Sequence, residues 1–282
     1  MHAFTSTENR AAKHLLKPLL LAGLAIAGLC LSPTSWAQDS LTRIMKDKRI
    51  VVGVPVDFAP YGFMGKDRTI NASRKPQGLD IDMANFIGAK LGVMVQLTPV
   101  INANRVPYLQ EGKVDVVIST LGKNPDREKL IDFTLPYSPF FQAVFASKKL
   151  SITKMEDLAG KTIGVTRGAL EDKEITKLAP TSAVIKRFTD NNATVSAFVT
   201  GQVVAIATGA AVAGNMALAN PELDTEFKLL IKDSPNYIGV PKGQTELRDK
   251  LNAIIEAASK SGELDDLSMK WLNRKSGLTP LK

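Results

Sequence analysis

The stretch GKVDVVISTLGKNPDREKLIDFTLPY, Gly112–Tyr137, decides the fold that we expect for this chain. Its apolar run, Val114–Ile118, predicts a buried strand, which ends in the small polar residues Ser119 and Thr120. Asn124 and the proline after it are typical of a helix start, because Asn caps free N–H groups and proline suits the first helical position. The stretch therefore predicts a strand, a turn and a helix in direct succession.

The same turn has the features of an anion site. Gly122 permits a close backbone approach, and Arg127 lies in the first turn of the predicted helix. Free N–H groups and the helix dipole favour negative charge there, and an Arg guanidinium can bind a carboxylate through two hydrogen bonds. The alternative is an ordinary strand–turn–helix in which Arg127 lies at the surface and pairs with Glu128 or Asp132.

Strands and helices alternate along the rest of the chain. Ile50–Val54 is a short apolar run typical of a buried parallel strand, Gly65–Gln77 is a polar loop, and an amphipathic helix follows over Gly78–Leu91. A second series of elements begins with the strand Thr162–Thr166, and a long amphipathic helix covers Thr245–Ser261. This order predicts an α/β fold with parallel sheets and ligand binding at the carboxyl ends of the strands.

Two α/β lobes follow from this order, and the second lobe interrupts the first. We expect lobe one over residues 38–141 and 235–282, and lobe two over residues 142–234. Extended segments near Phe141–Ala146 and Lys232–Val240 would connect the lobes. A two-segment hinge of this kind permits closure around a ligand in the cleft between the lobes.

The N-terminus has the three parts of a secretory signal peptide. Arg10, Lys13 and Lys17 give it a basic start, and the apolar run Leu19–Leu31 is too short to span a bilayer. Ser35–Ala37 has the small-x-small pattern of a cleavage site. We therefore expect residues 1–37 to be removed and the mature protein to lie in the periplasm.

Removal of this segment limits the chemistry of the mature chain. The segment carries the single Cys, Cys30, and both His, His2 and His14, so thiol catalysis, disulfides, His-containing triads and His-ligated metals are excluded. The mature chain keeps 33 of the 36 Lys and Arg and 27 of the 28 Asp and Glu, a net charge of +6. These charges are interleaved rather than clustered, so we expect no metal site and no nucleic-acid partner.

The opening stretch also resembles a family signature, at Gly112, Asp115, Arg127, Phe133, Pro136 and Tyr137. From about Arg49 to Leu272 the chain resembles the bacterial extracellular solute-binding proteins that serve ABC transporters of polar amino acids. The resemblance implies a two-lobed fold of the type II periplasmic-binding kind, with lobe one discontinuous. It further implies an amino acid or related small carboxylate as ligand, a membrane permease as partner, a monomer and no cofactor.

The resemblance assigns the ligand's carboxylate to Arg127 and to the backbone N–H groups of Thr120 and Gly122. The hydroxyl groups of Ser119 and Thr120 are further donors that we expect in this subsite. Phe58 falls where an aromatic side chain commonly packs on the ligand in this family.

Arg105 is the second cationic candidate. It lies in Asn102–Pro107, NANRVP, which resembles a motif whose Arg faces the ligand's side chain in binders of acidic and related amino acids. The alternative is an exposed Arg on a short helix, Asn104–Gln110. A further Arg of the acidic amino-acid binders corresponds here to Pro55, which counts against aspartate or glutamate as the ligand.

Lobe two departs from the family pattern at two positions. Leu170 stands where relatives usually have a ligand-contacting Thr, and Gly209 stands where they have the Asp that pairs with the ligand's ammonium group. Burying an ammonium group without an acidic partner is strongly unfavourable. Either another acid serves, with Asp57, Glu171 and Asp172 as candidates, or the ligand lacks an α-ammonium group.

Two functions compete on this sequence. The leading interpretation is a periplasmic solute-binding protein of an ABC importer. The alternative is an enzyme, because a few relatives on this fold dehydrate prephenate or arogenate with a cleft Glu as proton donor, and Gly168–Glu171 resembles the turn that carries it. A solvated Glu at a helix start is the simpler interpretation of Glu171, so we expect no enzyme.

We predict that N-terminal sequencing of the protein recovered from the periplasm begins at or near Gln38. The basis is a basic start, an apolar run too short for an anchor, and a small-x-small motif at the expected cut. An uncleaved chain in the membrane fraction would contradict this prediction.

Overall fold

The computed structural model of the chain describes residues 39–65 and 75–278. The predicted signal peptide, residues 1–37, and residues 66–74 of the predicted loop Gly65–Gln77 lie outside these ranges. Within the described ranges no helix has both the length and the apolar character that a membrane span requires.

The first part of the chain alternates between strands and helices. In chain order its elements are α1 (Ser40–Asp47), β1 (Arg49–Val54), β2 (Asp57–Phe58), β3 (Gly62–Met64), β4 (Pro76–Gln77), α2 (Leu79–Leu91), β5 (Met94–Pro99), α3 (Arg105–Gln110), β6 (Val116–Leu121), α4 (Pro125–Leu130) and β7 (Ile131–Ser138). The strand–turn–helix predicted for the opening stretch is present as β6 and α4, and the side chain of Asn124 caps α4.

A second series of elements follows, and the chain then returns to the first. The second series is β8 (Phe141–Ser147), a 3-10 turn (Met155–Leu158), β9 (Thr162–Thr166), α5 (Leu170–Leu178), β10 (Val184–Phe188), α6 (Asn191–Val199), β11 (Ala205–Gly209), α7 (Ala210–Ala219), a 3-10 turn (Pro221–Leu223) and β12 (Thr225–Asp233). The returning elements are β13 (Asn236–Pro241), α8 (Thr245–Ser261) and α9 (Glu263–Leu272).

Two five-stranded sheets organise these elements, in the orders β5-β1-β6-β13-β7 and β10-β9-β11-β8-β12. In each sheet one strand runs against its neighbours: β13 pairs antiparallel with β6 and β7, and β8 pairs antiparallel with β11 and β12. The predicted parallel pairing is present between β1 and β5, β1 and β6, β9 and β10, and β9 and β11, and each sheet adds one reversed strand that the sequence did not indicate. The reversed strands are the two that begin just after the chain crosses from one sheet to the other, so they enter their sheets from the opposite end.

The two crossings lie side by side. The first leads from Ser138 at the end of β7 to the start of β8, and the second leads from the end of β12 to Asn236 at the start of β13. The backbone N–H of Ser234 donates to the carbonyl of Phe140 at 3.0 Å, and Nδ2 of Asn236 donates to Oγ of Ser138 at 2.9 Å. A connection of two short segments is the arrangement that a hinge between lobes requires.

Helices cover both sheets and bury their apolar faces against them. Helix α2 packs on the first sheet with Leu79, Met83 and Ile87, and α8 packs there with Leu247 and Leu251. The second sheet has separate apolar clusters on its two faces, which include residues of β8, β9 and β11. The carboxyl ends of β6, β9 and β11 lead directly into loops and helices that face the region between the sheets, where the candidate site lies.

One carboxylate of α2, that of Asp82, makes two hydrogen bonds to the C-terminal helix, α9. Oδ2 of Asp82 in α2 accepts from Nε1 of Trp271 at 2.7 Å and from Nζ of Lys270 at 2.7 Å. Trp271 is half-buried, whereas the ammonium group of Lys270 is largely in solvent.

We predict that Asp82→Ala lowers the free energy of unfolding by about 1–3 kcal/mol, because it leaves the indole N–H of Trp271 without its acceptor. Glu256→Ala, which removes an exposed pair with Lys260 one turn away on α8, is the matched control and should cost at most about 0.5 kcal/mol. Urea unfolding followed by tryptophan fluorescence measures both, since Trp271 is the only Trp outside residues 1–37. Equal effects of the two substitutions would contradict this assignment.

Candidate ligand-binding cleft

A cavity lies between the two sheets, at the carboxyl ends of their strands. Its walls are formed by Phe58, Asn102, Arg105, Thr120, Phe140, Thr166, Ala169, Leu170, Glu171, Asn191, Ala207 and Thr208. The volume open to the centre of a water-sized sphere is ≈ 10 Å³, room for about one water molecule. Sites for small organic ligands usually enclose about 300 to 1,000 Å³. Entry of such a ligand therefore requires the walls to move apart.

Arg105 is held in this wall by carbonyl groups of the first sheet. Its side chain is 2% exposed, and Nη1 donates to the carbonyl of Ser119 and, at 3.4 Å, to that of Thr120. Nε is buried and has no hydrogen-bond partner among the described residues. Burial lowers the pKa of Arg105 to about 9, and the charge of Arg127 acts in the same direction. The alternative of an exposed Arg at this position is wrong.

Glu171 is the acidic residue of the cavity lining, and it lies on α5 beside the second sheet. It is the second residue of α5 and is 6% exposed. Within the described part of the chain its carboxylate forms no ion pair with a Lys or Arg. Burial raises the pKa of Glu171, and the charges of Arg105 and Arg127 oppose that rise. The cavity therefore contains one cationic group and one acidic group, on facing walls.

Arg127 links the loops of the two sheets. Nη1 donates to the carbonyl of Gly122 at 2.6 Å, and Nη2 donates to the carbonyl of Gly168 at 3.0 Å. The side chain is 5% exposed and lies beside the cavity rather than in its wall, and burial lowers its pKa to about 10. Pairing with Glu128 or Asp132 is not observed, because those acids pair with Lys123 and Lys242. Binding of a ligand carboxylate by Arg127 stays a prediction.

Thr120 already uses the backbone N–H that we assigned to a ligand. This group donates to Oδ2 of Asp80 at 2.8 Å, and Oδ1 of Asp80 accepts from the hydroxyl of Tyr137 at 2.6 Å. The N–H of Thr120 is therefore a structural donor in this arrangement, which corrects the prediction for that group. Thr120 still lines the cavity, and Ser119 beneath it contributes its carbonyl to Arg105.

Asp80 was not predicted as a site residue from the sequence. It is completely buried in the first turn of α2, and burial raises its pKa to about 7, against hydrogen bonds from Tyr137 and Thr120 that lower it. One signal could have identified it. Asp80 shares its helix face with Ala84 and Ile87, at the spacing of four and seven residues that marks the inward side. An acid on that side requires partners.

Leu170 and Gly122 lie in direct contact across the cleft. A Cβ placed on Gly122 would lie 2.8 Å from Cδ2 of Leu170 and 3.1 Å from Oγ of Ser234, so any larger residue would require the Leu170 side chain to shift. Leu170 is 2% exposed and lines the cavity together with Phe58. The apolar leucine thus covers the turn where the carboxylate subsite is predicted.

Phe140 occupies the space that a side chain at position 209 would need. A Cβ on Gly209 would lie 2.5 Å from Cζ of the Phe140 ring. The ring belongs to an aromatic group, with centroids 6.3 Å from Phe58 and 5.4 Å from Tyr61. An acidic side chain at position 209 would therefore require the Phe140 ring to move. Phe140 lies in a crossing between the sheets, where the local sequence pattern gave no sign of a site residue.

Asp57, in the small three-stranded sheet β2-β3-β4, bonds to the start of α6 and does not line the cavity. Its carboxylate accepts from the backbone N–H of Asn191 at 2.8 Å and from Nδ2 of Asn191 at 3.2 Å. Oδ1 of Asn191, at the start of α6, in turn accepts from Nδ2 of Asn102 at 3.2 Å and from Oγ1 of Thr166 at 2.9 Å. Asp172 is also engaged, with Arg187 at 2.8 Å. Of the three acids offered for an ammonium group, Glu171 is the one that lines the cavity.

The structure thus brings half of the predicted site together around one cavity and adds polar residues to its lining. Predicted residues that line the cavity are Phe58, Arg105, Thr120, Leu170 and Glu171, while Asp57, Ser119, Gly122, Arg127 and Gly209 lie next to them. The added polar residues are Asn102, Thr166, Asn191 and Thr208. Among the described residues no group of His, Cys, Asp and Glu is arranged to hold a metal ion.

Known proteins that resemble this chain in sequence or in structure are named as amino-acid-binding proteins. The glutamine-binding protein of an ABC transporter from Bacillus subtilis (strain 168) is 28% identical over 239 residues, which cover 83% of this chain and 85% of that protein. The crystal structure of a mutant of ArgBP from T. maritima superimposes with a TM-score of 0.76 at 26% identity, and covers 83% of this chain and 100% of that one.

An ancestral arginine-binding protein bound to glutamine is similar with a TM-score of 0.74 at 32% identity, over 80% of this chain and 99% of that chain. These likenesses and the paired sheets confirm the predicted two-lobed α/β fold. The family description "Bacterial extracellular solute-binding proteins, family 3" matches residues 50–274, which is most of the sequence. The chain therefore belongs to the bacterial extracellular solute-binding proteins, family 3.

Proposed function

We propose that this protein captures an amino acid, or a closely related small carboxylate, in the cavity between its sheets and delivers it to the membrane permease of an ABC importer. The proposal places the mature chain in the periplasm, as a monomer, after removal of residues 1–37. One observation carries it: Arg105 and Glu171, which have opposite charges and lie on helices beside different sheets, α3 and α5, line the same cavity. Such a pair suits the two charged ends of a zwitterion.

Family membership and the names of the relatives support transport rather than catalysis. The Bacillus subtilis relative is named for glutamine, and the ancestral protein was solved with glutamine bound. Close relatives are named as substrate-binding proteins of ABC transporters and not as enzymes, so this chain is a binding protein. Glu171 therefore serves this proposal as a charged acceptor and not as a proton donor.

The proposed ligand lies with its carboxylate toward the first sheet and its ammonium group toward the second. Arg105 and the loop that holds Arg127 supply positive charge on the first side, and Glu171 supplies the acceptor on the second. Phe58 and Leu170 form apolar walls on either side of the carbon skeleton. Desolvation strengthens both charge pairs, because charges interact more strongly away from water.

We predict that the wild type binds an amino acid at least about tenfold more tightly than its deaminated counterpart, or about 1.4 kcal/mol, because Glu171 pairs with the ammonium group. Isothermal calorimetry with L-glutamine, L-arginine and the matching deaminated acids measures this preference. Glu171→Gln keeps the shape of the side chain and should abolish it.

The matched control is Glu174→Gln on the same helix, because Glu174 pairs with Lys232 on β12 instead of lining the cavity. This variant should keep the wild-type preference. A preference that survives Glu171→Gln would show that another group accepts the ammonium. Equal affinity of the wild type for both compounds would show that the ligand needs no amino group.

The pKa of Glu171 gives a second prediction, in which the affinity for an amino acid falls as the pH is lowered. Burial raises this pKa above its usual value, so protons compete with the ammonium group for Glu171 at a higher pH than for an exposed Glu. Binding strength should therefore be complete above the raised pKa and be lost as the pH falls through it. Calorimetry from about pH 8 to about pH 5 measures the slope. Glu171→Gln should flatten it, and an unchanged slope in that variant would contradict the assignment.

A further inference from the structure

Asp80 is a buried carboxylate that takes no part in the proposed contacts with the ligand. It is 0% exposed and lies behind the cavity wall, in the first turn of α2. Its two oxygens have separate partners: Oδ2 accepts from the backbone N–H of Thr120 at 2.8 Å, and Oδ1 accepts from the hydroxyl of Tyr137 at 2.6 Å. Asp80 therefore connects α2 to the ends of β6 and β7.

Thr120 has a backbone conformation that requires such support. Its φ is 42°, in the left-handed region, which a β-branched residue adopts only rarely. Backbone strain of this kind persists where the surrounding contacts determine the conformation, and it clusters at functional sites. The hydrogen bond that the N–H of Thr120 donates to the carboxylate of Asp80 is a contact that selects this conformation.

The conformation of Thr120 decides where two carbonyl groups point. The carbonyls of Ser119 and Thr120 both accept from Nη1 of Arg105. Nε of Arg105 is buried and lacks a partner among the described residues, so these two carbonyls are the groups that orient the guanidinium there. A chain of hydrogen bonds thus connects Tyr137 to Asp80 and Asp80 to Thr120 near the end of β6. It continues from the carbonyls of Ser119 and Thr120 to Arg105 in the cavity wall.

We propose that Asp80 is a positioning residue: its carboxylate holds Thr120 in the left-handed conformation at the end of β6 and thereby fixes the guanidinium of Arg105 toward the ligand. Asp80 itself touches no part of the cavity. The ionisable groups that face it are Tyr137 on β7, Tyr61 after β2, and Arg105 on α3. The proposal about affinity rests on the proposed function, whereas the proposal about the orientation of Arg105 does not.

Substitution of Asp80 and of Thr120 separates positioning from simple stabilisation. Asp80→Ala removes the acceptor, and Asp80→Asn keeps one oxygen for Thr120 while its amide can donate to Tyr137. Thr120→Gly adopts φ of 42° without strain, so it should make the carboxylate dispensable. Asp82→Ala, two residues along the same helix, is the matched control, because Asp82 bonds to Trp271 on the other side.

The first measurement needs no ligand. Nitrogen NMR of the Arg105 guanidinium in the mature protein reports how fast the group rotates about its Nε–Cζ bond. We expect slow rotation in the wild type, in Asp80→Asn and in Asp82→Ala, and at least about tenfold faster rotation in Asp80→Ala. The double variant Asp80→Ala/Thr120→Gly should return to the rate of Thr120→Gly alone. Two results would overturn the proposal. One is slow rotation in Asp80→Ala, and the other is rotation in the double variant that is faster than in Thr120→Gly alone.

The second measurement is calorimetry of the same variants with L-glutamine and L-arginine. We expect Asp80→Ala to weaken binding by at least about tenfold, or about 1.4 kcal/mol, and the double variant to bind like Thr120→Gly. Failure of the wild type to bind either compound would count against the proposed function, while the NMR experiment would still test Asp80. If Asp80→Ala does not fold, the comparison of the double variant with Thr120→Gly decides, because unequal Arg105 mobility in those two proteins would overturn the proposal.

Discussion

Burial of charge between two sheets is the constraint on which the rest of this protein depends. Asp80, Arg105, Arg127 and Glu171 are all 6% exposed or less, and all lie in or next to one cavity. A buried charge is strongly unfavourable unless hydrogen bonds or opposite charges compensate it. For Asp80, Arg105 and Arg127 the compensating hydrogen bonds come from backbone groups or from the hydroxyl of Tyr137. Glu171 is compensated by the nearby positive charges of Arg105 and Arg127. The loops around the cavity are shaped by these requirements.

The arrangement of strands explains why the charges meet there. Strands β6, β9, β10 and β11 each lead at their carboxyl ends into a helix, and the N-termini of α4, α5 and α6 carry Arg127, Glu171 and Asn191. Parallel strands place all of these ends on one edge of a sheet. Because the reversed strands β8 and β13 begin at the crossings, the connecting segments lie at the same edge, and this brings Phe140 to the cavity.

Local patterns predicted the elements whose residues alternate or repeat without interruption, such as Thr162–Thr166 and Thr245–Ser261. The family resemblance, in contrast, offered Arg105 and Glu171 as site candidates, and both line the cavity. The local patterns missed β7, because Asp132 and Pro136 interrupt its apolar residues and its partner β13 lies about 100 residues further along the chain. The partners of Asp80 and the ring of Phe140 over Gly209 likewise depend on contacts between residues far apart in sequence. Such contacts leave no pattern in the local sequence. The backbone N–H of Thr120 was therefore predicted to donate to a ligand carboxylate, although Asp80 accepts from it within the protein.

The bonds that Asp57 and Arg127 make across the cleft have a consequence for the kinetics of uptake. Asn191 begins α6 and Gly168 lies in the loop before α5, both beside the second sheet, so these hydrogen bonds between protein groups exist only while the two sides of the cleft are close together. A closed form that the protein stabilises by itself reduces the fraction of molecules open to solute, and apparent affinity falls in proportion to that fraction. The same bonds lengthen the residence time of a solute once it is enclosed, because they must break before it can leave. These bonds between protein groups therefore lower the rate of solute entry and lengthen its retention.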